Sequence, residues 1–144
     1  MAAWGTEPFD NDDAADFAVA VADQDSLASI EAAFDKVLAA GAGPIEAPLA
    51  STAIAGAEIL TLLADRGSDE TEYPDEIEEW AAETEHTPAQ PLLDKAIRVL
   101  DRIAAPPSEL LELWSEDAED LAEWKATLED IKDRLAEPED EDEE

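Results

Sequence analysis

The chain has 144 residues, 40 Asp and Glu against 8 Lys and Arg, no Cys and one His, for a formal net charge of −32. Its apolar share of 45% leans on Ala, so Leu, Ile, Val and Phe are sparse and allow one small domain with a thin core. This arithmetic excludes disulfides, thiolate chemistry and Cys-based zinc sites, argues against a large multidomain enzyme, and sets direct nucleic-acid binding aside because phosphates would be repelled.

Residues 1–10 read as an arm bearing Trp4 and Phe9, punctuated by Gly5 and Pro8. Asp10, Asn11, Asp12 and Asp13 then precede Ala-rich sequence. These are residue types that cap helices and suit the positive end of the helix dipole. A helix from about Asp12 to Ala22 is predicted, with Ala14, Phe17, Ala18 and Val21 on one face. Ser26 can cap a second helix, in which Leu27, Ile30, Phe34, Val37 and Leu38 recur at helical spacing. A turn at Ala42-Gly43-Pro44 follows. Pro48 can open a third helix that runs to about Asp65 and stops at Gly67. That segment is apolar nearly all round, which marks a central buried helix. Its small residues Ala50, Ala53, Gly56 and Ala57 permit close helix contacts.

An acidic stretch from Ser68 to Glu85 contains Pro74 and a short helix starting near Asp75. A helix from about Pro91 to Ala104 turns Leu92, Leu93, Ala96, Ile97, Leu100 and Ile103 inward. After Pro106-Pro107, Ser108 can cap a final helical region reaching Leu135. Its apolar stripe is Leu111, Trp114, Ala118, Leu121, Trp124, Leu128, Ile131 and Leu135, with a break possible near Ser115–Asp117. Residues 137–144 hold seven acids and Pro138 and read as a solvated, disordered tail. The expected architecture is all-α: one domain over residues 1–136, a bundle of five to six helices, followed by the tail.

No catalytic, cofactor or metal residues are assigned. Nucleophilic catalysis lacks a Cys or a Gly-x-Ser-x-Gly turn, and the lone His86 reads as a solvated surface residue. The Asp10–Asp13 run fails as a calcium loop, because Ala14, Ala15 and Val21 stand where ligands and the turn glycine belong. Glu76, Glu79 and Glu83 can share a helix face, as can Glu116, Asp117, Glu119, Asp120 and Glu123 in part, but the Glu-x-x-His pairs of di-iron bundles are absent. Trp114 and Trp124 read as core anchors, and Trp80 as a lid over the bundle or an exposed partner contact.

Ala3-Trp4-Gly5-Thr6, then Pro8-Phe9-Asp10-Asn11-Asp12, Ala14 and Asp16-Phe17, resemble the opening of the domain-of-unknown-function 4259 family. A second similar block is Ser108 to Trp114, followed by Glu123-Trp124 and Asp133-Arg134-Leu135. Ala2 and Glu7 stand where the family has glycines. The resemblance implies a small intracellular helical protein and assigns it no catalytic activity. It marks Trp4, Gly5, Phe9, Asn11, Asp12, Asp16, Trp114, Trp124 and Arg134 as structural or family positions. Asp12 and Asp16, four apart, can face Arg102 or Arg134.

The acids are dispersed and Lys is scarce, a pattern expected of a chain adapted to a salt-rich cytosol in an extreme halophile. No export signal and no membrane span is read, so the expected location is cytoplasmic. The expected function is a non-catalytic protein-interaction or regulatory module, an immunity-like partner being one form of it. The alternatives are an acidic nucleic-acid mimic that sequesters a basic protein, and a carboxylate- or metal-dependent enzyme.

Overall fold

A computed structural model describes residues 12–64, 73, 75–84 and 87–136. The arm, Arg66, His86 and the acidic tail lie outside the described residues. So does the stop of the third helix at Gly67. Among the described residues there are seven helices: α1 (Asp12–Gln24), α2 (Ala28–Ala39), α3 (Ala47–Leu63), α4 (Asp75–Glu83), α5 (Gln90–Ile103), α6 (Glu109–Trp114) and α7 (Ala118–Ala136). None of the described residues forms a strand beyond a single bridge between Ile45 and Ser108. None of these helices is long and apolar enough to cross a membrane.

The third helix organises the rest. From Ala50 to Thr61 only Thr52 escapes full burial, and α3 touches each of the other six helices. A segment without a polar face can satisfy its backbone in a helix and must then be surrounded by others. The helices around it are one-sided. In α5, Leu92, Leu93, Ala96, Val99, Leu100 and Ile103 are buried while Asp94, Arg98 and Asp101 face out.

Close approach centres on Gly56. A Cβ built there would lie 3.1 Å from Ile30 Cγ2 of α2 and 3.6 Å from Phe17 Cε2 of α1. Ile30 is fully buried, so it has little room to yield. Gly56→Val should therefore lower stability by about 1–3 kcal/mol through overpacking. Thermal melting checks this, and an unchanged midpoint would show that α1 and α2 can ride outward without cost.

The termini of the helices follow local chemistry in part. Ser26 Oγ accepts the Ala28 N–H at 3.0 Å, although no side chain caps Leu27, where α2 begins. Asp117 Oδ1 accepts the N–H groups of Glu119 at 2.9 Å and Asp120 at 3.2 Å, an N-terminal cap for α7. Ser108 Oγ accepts from Leu111 N at 3.4 Å at the start of α6. The start of α3 is closed from a distance, because Glu109 Oε1 accepts the Ala47 N–H at 2.6 Å. Glu109 N in turn donates to Ile45 O at 2.9 Å, tying α6 to the entry of α3.

The final helical region is two helices, which raises the total to seven. Because the chain breaks after Trp114, one apolar face does not run through it. Leu110 is buried, Leu111 and Leu121 are half-buried, and Ala118 is exposed. The stripe resumes at Trp124 and continues through Leu128, Ile131 and Leu135, all buried. Trp114 and Trp124 are 5% and 3% exposed and belong to the core cluster.

Candidate functional site

Cations are rare in this chain, and the fold spends them between elements. Lys95 meets Asp35 at 2.6 Å and joins α5 to α2. Lys132 meets Asp101 at 2.6 Å and Glu129 at 2.9 Å, joining α7 to α5. Its ammonium pKa is raised above the ordinary value, first by the hydrogen bond to Asp101, against an opposing burial effect. Arg102 holds three carbonyls: Gly41 O at 3.1 Å, Gly43 O at 2.6 Å and Ala105 O at 2.9 Å. It thereby pins the α2–α3 turn to the end of α5.

The most enclosed of these ties is built on Glu58 of α3, whose side chain is fully buried. Arg134 of α7 approaches it as a fork, with Nη1 donating to Oε2 at 2.8 Å and Nη2 to Oε1 at 2.9 Å. Tyr73 OH donates to Oε2 at 2.6 Å and Thr61 Oγ1 to the same oxygen at 2.9 Å. The guanidinium also reaches Asp130 Oδ2 through Nη2 at 2.8 Å and donates to Thr61 Oγ1 at 3.0 Å. Burial of Arg134 works against its charge, but the hydrogen bonds and field of Glu58, then of Asp130, overcome it and raise its pKa. Three donors converge on Oε2 and one on Oε1, and the Thr61 hydroxyl also lies 2.6 Å from the Glu58 carbonyl oxygen. The chemistry of the cluster is cross-linking: it joins α3, α7 and the segment entering α4.

A second polar junction lies at the other end of α4. Asp25 closes α1 with a left-handed backbone, φ 52°, and its N–H donates to Val21 O at 3.0 Å. Short polar residues tolerate that conformation better than others. Asp25 Oδ1 accepts the Trp80 indole N–H at 2.7 Å and the Thr84 hydroxyl at 3.2 Å. Trp80 is half-buried against the core.

The family positions divide as follows. Trp4, Gly5, Phe9 and Asn11 lie outside the described residues, as does the Asp12 side chain at the start of α1. Asp16 is exposed, and the described partners of Arg134 are Glu58, Thr61 and Asp130 rather than Asp16. Arg102 is likewise engaged by carbonyls. Glu76, Glu79 and Glu83 are exposed along α4, and among the described residues no three His, Cys, Asp or Glu side chains converge as a metal group would need. The residues that sequence reasoning missed are Glu58, Thr61 and Tyr73. Their signal was present: a Glu and a Thr three apart inside an otherwise apolar helix require buried partners.

A family model described as a domain of unknown function (DUF4259) matches residues 2–127. The match takes in Glu58 and Tyr73 and ends before Asp130 and Arg134. No curated protein and no solved structure matches the chain.

Proposed function

The chain belongs to the domain of unknown function 4259 family, and from that premise we propose that it is a non-catalytic module that binds another protein. One observation carries this reading: among the described residues, the buried charge of Glu58 is met within the chain. Glu58 and Arg134 are matched side chain to side chain, so their chemistry holds helices together. What the fold turns outward is helical surface rich in carboxylates, suited to recognition by a partner with basic groups.

The distribution of that acidity supports a solvation role over a nucleic-acid mimic. Exposed acids stand on α1 (Asp13, Asp16), α2 (Glu31, Asp35), α4 (Glu76, Glu79), α5 (Asp94, Asp101) and α7 (Glu119, Glu123). A mimic needs phosphate-like charges on one organised face, whereas these surround the bundle. The charge fits a chain adapted to molar salt in the cytoplasm of a halophile.

The test is affinity capture in molar potassium chloride from the source cells, followed by reconstitution from purified components. The expected result is one partner at a fixed molar ratio, with protection mapped to an outer helix face. Recovery of the chain with a stoichiometric bound metal and a turnover activity would overturn the reading in favour of an enzyme.

A further inference from the structure

The fourth helix is held differently from the others. It packs on α1 and lightly on α3, and within it only Ile77 is fully buried. Polar clips fasten both ends: Tyr73 to Glu58 before the helix, and Trp80 with Thr84 to Asp25 at its close. Against these stand five acids in nine residues and no cation, in the sequence Asp75-Glu76-Ile77-Glu78-Glu79-Trp80-Ala81-Ala82-Glu83. All five acids are exposed.

The spacing makes the acids neighbours. Asp75 and Glu78, Asp75 and Glu79, Glu76 and Glu79, and Glu79 and Glu83 each lie three or four apart. Such like-charged pairs on a helix repel one another. The first-turn acids favour the helix dipole, but Glu83 sits at the end that disfavours it. Docking also sets this charge on α1, which carries the exposed acids Asp13, Asp16 and Asp23. Exposed charges are screened over about 10 Å at 0.1 M salt and over less than about 3 Å above 1 M. The apolar attachment of Ile77 and Trp80 does not fade in the same way.

We propose that α4 is a salt-gated strap, docked on α1 and α3 in molar salt and released as a unit in dilute salt while the rest of the bundle stays folded. Segments with few buried contacts open below the global unfolding free energy, and here the electrostatic share of the balance is set by ionic strength. Release would uncover the surfaces of α1 and α3 that Ile77 and Trp80 cover, and would free the phenol of Tyr73 from the buried ion pair.

Hydrogen exchange on the full chain tests this across about 0.1–3 M potassium chloride. Relative to α3 and α5, the amides of α4 should lose about tenfold or more of their protection at the low end. The triple substitution Glu76→Gln, Glu79→Gln and Glu83→Gln should keep α4 protected in dilute salt. Asp25→Gly suits the left-handed backbone yet removes the acceptor of Trp80 and Thr84, so it should expose α4 even in molar salt. The proposal fails if α4 and α3 lose protection in step, global unfolding included, or if the triple variant follows the parent chain.

Discussion

Replacing Arg134 with Met should destabilise the protein by about 3–5 kcal/mol, the range for removing one partner of a buried ion pair. For a chain of this size that is a fall in Tm of roughly 10–15 °C. The physical reason lies with the partner left behind. Glu58 is fully buried and receives two of its four hydrogen bonds from that guanidinium. Without Arg134, it keeps Thr61 and Tyr73 but loses its counter-charge in a medium that solvates charge poorly. The double substitution Glu58→Leu with Arg134→Met should recover most of the loss, because an apolar pair of similar volume is often as stable as the ion pair it replaces. A double-mutant cycle by thermal melting measures the coupling. If Arg134→Met melts within about 1 kcal/mol of the parent, the pair is not a stabilising cross-link. The measurement belongs in molar salt as well as dilute buffer, since buried pairs are screened far less than exposed ones.

Raising potassium chloride from about 0.1 M to about 3 M should stabilise the domain by several kcal/mol, roughly 10–20 °C in Tm. The described helices place acids three or four residues apart repeatedly, as in Glu31 and Asp35, Glu119 and Glu123, and Asp130 and Asp133. Each pair repels modestly, and the sum opposes a thin core that has little surplus to absorb it. Contraction of the Debye length removes that opposition. Sucrose at matched concentration should not reproduce the gain, because it strengthens burial without screening charge. Equal melting temperatures at both salt concentrations would sink the reading of the acidity as a salt adaptation.

The two predictions separate two uses of charge in one chain. The outer acids keep the surface solvated and repel one another. Four of the cations, Lys95, Lys132, Arg102 and Arg134, each tie one element to another. Substitution of Lys95 or Lys132, whose partners are exposed, should cost far less than substitution of Arg134.

Much of the fold was legible in the residues. Apolar spacing at three and four positions, Pro48 near a helix start, and Asp and Ser at helix entries are local signals with local causes, so α2, α3, α5 and the break before α7 could be read directly. The all-round apolar character of the third segment marked it as central before any contact was known. The candidate site was less legible. Glu58, a charge inside an apolar run, was missed, and its partner Arg134 is 76 residues away. Several other cations were open to it, and Asp16, which is exposed, looked like a rival partner for Arg134 by sequence. Likewise, the cap on α3 is Glu109, which is 62 residues from Ala47.

The division follows the range of the forces. Composition and periodicity by themselves determined the class of fold, the positions of most helices, the central helix and the sign of the surface, because those depend on residue type and on spacings within a few turns. Tertiary structure alone decided which cation the buried Glu58 meets, which residue closes the start of α3, and how α4 is clipped at both ends. Those pairings depend on how helices are placed around α3, and that placement is set by packing at positions such as Gly56 and Ile30 rather than by distance along the chain.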